Sequence, residues 1–328
     1  MTRPGDGADR PRILFITATR IGDCILSTGL LGALLDRHPG ARVTIACGEP
    51  AASLFLDVPG LERIVAMRKR RLLGHWLALW REVCAKRWDV AVDLRGSLTT
   101  AFVRRGVAIV DRRRDPGLHR VAEIGRLSGI DPPPAPRLWL SPTRRARAAA
   151  SLPADAPVLA LAPASNWPPK TWPADRFADL ALRLTAPGAP LADARIVVAA
   201  SPSERPQFAG LLSRLPAGRV LDLTGGGELL DVAACFARAS LFVGNDSGLM
   251  HLAAAAGAPT IGLFGPSDER RYAPWGPAAR AVRARESAAE LIDRALRGAR
   301  GQGELMVGLD VDAVEAAARD LLAAQPAR

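Results

Sequence analysis

The sequence predicts an α/β protein built from two doubly wound parallel sheets. Three observations carry this expectation. Short apolar runs rich in Val and Ile recur along the chain, helical patterns separate them, and the alternation halts at a Pro-rich passage before starting again. Parallel strands covered on both faces read as near-continuous apolar runs, and parallel neighbours need a crossover, usually a helix. At 328 residues the chain exceeds one ordinary domain, so two domains of about 150 residues are expected. An apolar fraction of 48% supplies a sizeable core, which a disordered chain lacks.

In the first half, RILFIT (12–17), RVTIAC (42–47), RIVAM (63–67), DVAVDL (89–94) and GVAIVD (106–111) read as strands. ILSTGLLGALLDRHPG lies between the first two as an amphipathic helix closed by Pro39-Gly40. LGHWLALWREVCAKRW has apolar residues at helical spacing, with Trp76 and Trp80 four apart as core or interface packing. Residues 131–157, with DPPPAPRLWLSPT and SLPADAP, read as the linker between domains 1–150 and 151–328. The alternation resumes with VLALAPA (158–164), RIVVAAS (195–201), RVLDLTG (219–225), SLFVGND (240–246) and PTIGLFG (259–265). VDAVEAAARDLLAA closes the chain as a helix. Two successive βαβ arrays imply two such sheets facing across a cleft.

No apolar run reaches the roughly 18–20 residues that span a bilayer, and the polar start MTRPGDGADRPR lacks the apolar stretch of a signal peptide. Cytoplasmic residence is expected. Cys24, Cys47, Cys84 and Cys235 form no C-x-x-C pair and read as buried thiols. His38, His75, His119 and His251 lack metal-ligand spacing. Neither GxGxxG nor a Walker A motif is present, which weakens dehydrogenase and NTPase readings.

The net charge of +11 is unevenly placed. Residues 1–150 hold 26 Lys and Arg against 14 Asp and Glu, whereas residues 151–328 hold 18 against 19. The first half is therefore expected to meet something anionic. RKRR (68–71) and RRR (112–114) are its densest clusters, either solvated or facing that partner. Nucleic acid is not expected, because no RRM, KH or helix-turn-helix pattern is present.

Ligands of open α/β sheets bind beyond the carboxyl ends of strands. The first strand ends in TATRIGDCILS, where Asp23 is either a helix cap or a carboxylate acting as general base. The strand VLALAPA leads into SNWPPKTWPADRF, which brings Ser165, Asn166, Lys170 and Thr171 to a strand end. Lys170 is one of three lysines in an Arg-dominated chain; it is either an exposed loop lysine or an ammonium suited to a diphosphate. The third loop is GNDSGLMHLAAAAG. Gly244 and Gly248 permit close backbone approach, and Asn245, Asp246 and Ser247 precede a helix whose free N–H groups favour an anion. His251, on that helix's first turn, either touches a ligand or caps and packs. GPSD (265–268) returns to the same edge.

GNDSGLMHLAAAAGAPTIGLFGPSD resembles the signature of the bacterial heptosyltransferase family, glycosyltransferase family 9. RIGDCILSTGLLGAL, APASNWPPKTWP and ELMVGLDVDAVEAAARDLL agree in order, so the resemblance covers most of the chain. It implies a GT-B fold of two Rossmann-like domains, with the final helix (about 311–324) returning to the first. It also implies inverting transfer of a sugar, typically L-glycero-D-manno-heptose from ADP-heptose, onto lipopolysaccharide inner core, with no essential metal and no other cofactor. Asp23 falls on the family's catalytic aspartate, Lys170 on its phosphate-binding lysine, and Asp246 on the acidic residue of its donor loop. Ser165, Asn166, Thr171, Asn245, Ser247, Gly248 and His251 complete the implied donor set. The first domain would bind an anionic glycolipid acceptor through Arg68, Lys69, Arg70, Arg71, Arg112, Arg113 and Arg114, with peripheral contact at the inner membrane. One departure concerns the nucleotide. Leu230 stands where some members carry an acidic ribose contact, with Glu228 and Asp231 as nearby substitutes. The alternatives are a transferase using another nucleotide sugar for a different surface glycan, and a non-catalytic sugar-nucleotide-binding protein on the same fold.

Overall fold

The computed structural model describes residues 10–68, 74–113 and 115–325. The chain divides into two compact units, one of residues up to Asp115 together with Val121–Trp139, the other of Pro116–Arg120 with Leu140 onward. In the first unit, β1 (Arg12–Ile16), β2 (Arg42–Gly48), β3 (Leu61–Met67), β4 (Arg87–Asp93) and β5 (Arg104–Val110) form one sheet in the order β3-β2-β1-β4-β5. Every pairing is parallel. The apolar runs are explained by burial: Ile13, Leu14, Phe15 and Ile16 of β1 are fully covered. Helix α1 (Ile21–Arg37) makes the first crossover. Helix α2 (Gly74–Val83) turns Leu79 and Val83 into a core cluster with Trp88, Leu14 and Ile16. Trp76 packs partly against that cluster with the Arg95 guanidinium 4.7 Å from its ring centre. Trp80, on the outer face, is instead 38% exposed. Helix α3 (Arg120–Ser128) follows.

The second unit begins earlier than the Pro-rich passage suggested. Residues Pro142–Ser151 of that passage form helix α4, whose Arg144 and Arg147 pair with Asp231. Next come β6 (Val158–Ala162), α5 (Ala174–Thr185), β7 (Arg195–Val198), α6 (Ala209–Arg214), β8 (Val220–Asp222) and α7 (Leu229–Phe236). Then follow β9 (Leu241–Asn245), α8 (Gly248–Ala255), β10 (Thr260–Phe264), α9 (Glu269–Tyr272), β11 (Ala279–Arg283), α10 (Ala288–Leu296) and α11 (Val311–Ala323). The sheet is again all parallel, in the order β11-β10-β9-β6-β7-β8. The edge strand β11 was not expected from its sequence, because ARAVR carries two arginines and is only partly covered. Helix α11 sends Val314, Ala318 and Leu321 into the second unit's own core beside α5.

Three cysteines are buried as expected, but Cys84 is part-exposed at the end of α2. Helix α8, with Ala at most outward positions, lies on β9 and β10. Gly262 makes this approach possible, since a Cβ there would stand 2.3 Å from Met250 Sδ and 2.9 Å from Phe264 Cε2. Gly262→Ala should therefore overpack the core and cost about 1–3 kcal/mol. The expected readout is a lower urea midpoint at unchanged m-value; an unshifted midpoint would show that Met250 yields freely.

Candidate functional site

In a doubly wound sheet the crevice lies where successive connections leave in opposite directions. In the second unit that point is between β6 and β9, paired in register from Leu159↔Leu241 to Ala162↔Gly244. The loops after β6 and β9 therefore start side by side. They are tied by Asn245, whose Oδ1 accepts the Trp172 backbone N–H at 2.8 Å. Lys170 spans the same junction, with Nζ donating to the Asp246 carbonyl at 2.7 Å and to Asp246 Oδ2 at 3.1 Å.

Ser165 and Thr171 come to this loop but spend their groups internally. Ser165 Oγ donates to the Trp167 carbonyl at 2.9 Å and lies 3.0 Å from Thr171 Oγ1. Gln207, which the sequence did not single out, closes the set. Its Oε1 accepts from Ser165 N at 3.2 Å and Thr171 Oγ1 at 3.1 Å, and its Nε2 donates to the Ser165 carbonyl at 3.0 Å. Ser165 and Thr171 thus shape the loop, while Asn166 stands exposed on it.

Ser247 caps α8 by position, yet its side chain makes no capping bond. Ser247 Oγ, Asn245 Nδ2 and His251 Nδ1 are all buried without a partner among the described residues. Buried polar atoms are nearly always hydrogen-bonded, so three orphans at one helix start mark a place for a polar ligand. Gly248 opens that helix. Burial pushes the His251 imidazolium down to about 4, with Asp246 opposing the shift and His119 and Lys170 reinforcing it. His251 is thus a neutral ring here. His119, also missed as a site residue, packs on Trp275 with ring centres 4.7 Å apart and donates from Nε2 to the Ala273 carbonyl at 3.0 Å. Arg283 of β11 holds the GPSD turn, donating to the Gly265 carbonyl at 2.8 Å and the Ser267 carbonyl at 2.5 Å.

The first unit arranges its candidates along its own carboxyl edge. The β1–α1 loop is pinned by Thr17 N to the Ala46 carbonyl at 2.9 Å and Gly48 N to the Ala18 carbonyl at 3.0 Å. A side chain at Gly48 would collide with this loop, its Cβ meeting Thr19 O at 2.3 Å. Asp23 then sits in the first turn of α1, while the N-cap position is Arg20. Half-buried, its carboxylate has no hydrogen-bond or ion-pair partner among the described residues, so it is not consumed as a cap. Asp93, at the end of β4 beside β1, is buried and pushed up by desolvation. It organises the next turn, accepting from Ser97 Oγ at 2.5 Å and Arg95 N at 3.0 Å. Arg68 follows β3 and forms a two-pronged pair with Glu49 at 2.5 and 2.8 Å. Arg112 and Arg113 are exposed after β5. Lys69, Arg70, Arg71 and Arg114 lie outside the described residues.

Residues 119–295, more than half of the chain, match the family model of glycosyltransferase family 9 (heptosyltransferase). The chain belongs to glycosyltransferase family 9. It is 27% identical over 316 residues to lipopolysaccharide heptosyltransferase 2 of Escherichia coli K12, covering 83% of this chain and 88% of that protein. Among solved structures it is similar to a glycosyl transferase family 9 protein from Veillonella parvula, with a TM-score of 0.77, 20% identity and coverage of 97% of this chain and 98% of that one. It is also similar to E. coli ADP-heptose lipopolysaccharide heptosyltransferase II, with a TM-score of 0.74, 22% identity and coverage of 95% and 98%. The two Rossmann-like sheets are those of the GT-B fold, and this family 9 member is a glycosyltransferase.

The place where the sequence departs from the family pattern, at Leu230, is closed. Leu230 is fully buried in α7, and its acidic neighbours are engaged. Glu228 pairs with Arg144, and Asp231 with Arg144 at 2.7 Å and with Arg147. Among the described residues, no group of three or more His, Cys, Asp or Glu side chains could hold a metal ion.

The neutral His251 makes a measurable prediction. Unfolded, the ring binds a proton near 6.5; folded, it refuses one down to about 4. Its contribution to stability is therefore whole above pH 6.5 and is lost progressively as pH falls toward 4. Comparing urea midpoints of wild type and His251→Gln across this range should show an acid loss larger in the wild type by on the order of 3 kcal/mol. Parallel curves would overturn the assignment of a buried neutral ring.

Proposed function

We propose that this glycosyltransferase moves a heptose, with inversion, from ADP-heptose to a lipopolysaccharide inner-core acceptor on the cytoplasmic face of the inner membrane. The observation that carries the reading is the donor loop: Lys170 bonded to Asp246, beside three buried polar atoms left unpartnered at the start of α8. A nucleotide diphosphate supplies the oxygens such a site lacks. The named E. coli relative supports heptose as the sugar and lipopolysaccharide as the acceptor class.

On this reading the acceptor oxygen attacks the anomeric carbon from the face opposite the diphosphate. The carbon–oxygen bond to the acceptor forms as the bond to the phosphate oxygen breaks, and the nucleoside diphosphate leaves with that electron pair. Asp23 takes the acceptor's proton. A carboxylate is a weak base toward an alcohol, so proton transfer is late and concerted with departure. Lys170 and the N–H groups around 246–249 stabilise the developing charge without a metal. His251, as a neutral ring, is a hydrogen-bonding partner rather than a cation. The first unit receives the anionic acceptor through Arg68, Arg112 and Arg113, with the basic residues 69–71 and 114 in the same role. Because Leu230 replaces an acidic ribose contact, a donor panel of ADP-, UDP- and GDP-sugars separates this reading from a transferase of another nucleotide sugar.

Asp23→Asn should lower turnover about 10²–10⁴-fold with the fold intact; near-normal turnover would remove Asp23 as the base. Lys170→Ala should weaken nucleoside diphosphate binding, measured by calorimetry with ADP. Unchanged affinity would show that the ammonium does not meet phosphate, and transfer lost to a chelator would contradict the metal-free route.

A further inference from the structure

We infer that one arginine-rimmed apolar face of the first unit docks on an anionic phospholipid bilayer. The inference takes its purpose from the proposed lipid-borne acceptor, but its observations are separate from that site. Ten large apolar side chains are exposed among the described residues, and five of them fall between 77 and 107: Leu77, Trp80, Leu98, Phe102 and Val107. The elements that carry them touch, α2 against the turn Thr99–Phe102 and that turn against β5. Trp80 donates from Nε1 to the Phe102 carbonyl at 3.0 Å, which ties the outer face of α2 to the turn Thr99–Phe102. That turn leads directly into β5, the edge strand, exposed from Arg104 to Ala108. Leu98 is 74% exposed and Phe102 66%, values that isolated core spill-over does not explain.

The rim gives the partner's charge. Arg81, Arg104 and Arg105 are all exposed. Arg105 is braced by its Nε donating to the Thr100 carbonyl at 2.6 Å. Neither Arg81 nor Arg104 meets a carboxylate among the described residues, and the adjacent Glu82 is already paired with Arg63 at 2.8 Å. Apolar anchors, a tryptophan and unneutralised arginines are the combination that seats a protein at an anionic membrane interface. Each arginine near such a surface adds about fivefold to partition.

The test floats the full chain with vesicles of phosphatidylcholine alone or with phosphatidylglycerol added, with neither donor nor acceptor present. Failure here therefore leaves the transfer reading standing, and the reverse also holds. Binding should need phosphatidylglycerol and weaken with salt. Leu98→Ser with Phe102→Ser should reduce it at least about tenfold. Arg81→Gln with Arg104→Gln should reduce it about 25-fold. Both pairs are solvent-facing, so urea midpoints should match wild type. Equal binding to both vesicles, variants that bind like wild type, or a dimer that the variants abolish would each overturn the inference.

Discussion

The second unit depends on one pairing, that of β6 with β9. These strands are distant in sequence, and only their parallel register lays the loop after Ala162 beside the loop after Asn245. Asn245 then fastens Trp172, Trp172 fastens Leu309 through its indole N–H, and Lys170 is left within reach of Asp246. A parallel sheet buried on both faces permits no slip here, because every residue of β6 and β9 is covered.

Most strands were legible in the sequence because both faces are covered, so Val and Ile runs carried the signal without ambiguity. The exceptions have physical causes. Arg280 and Arg283 disguised β11, an edge strand whose charged side chains reach solvent or the 265–269 turn. Proline hid α4, although Pro142 sits at the first helical turn, where its missing N–H costs nothing. Of the donor-loop residues, Lys170, Asp246 and His251 stood out by type and place. Gln207 did not, because it contributes from a distant turn through amide geometry that no local motif records. Asp23 was visible but ambiguous between cap and base, and its lack of a bonding partner among the described residues argues only against the cap.

The two units use their carboxyl edges differently. In the first, the edge is basic, with arginines after β3 and β5 and, after β1, a carboxylate with no partner among the described residues. In the second, Ser165, Thr171 and Gln207 bond to one another beside the three unpartnered atoms, and Arg283 holds the turn after β10. On the proposed function, the bonded edge of the second unit takes the small nucleotide sugar and the basic edge of the first takes the large anionic glycolipid.

The pairing of Lys170 with Asp246 has a consequence for the end of a catalytic cycle. With His251 neutral, the formal charges of these three groups cancel before any ligand arrives. An anionic product is then held by dipoles and shared hydrogen bonds rather than by surplus charge. Such a grip strengthens while negative charge concentrates on the departing oxygen and relaxes once water can solvate it. On the proposed function, the cancelled charge leaves the site able to let go of what it has helped to release.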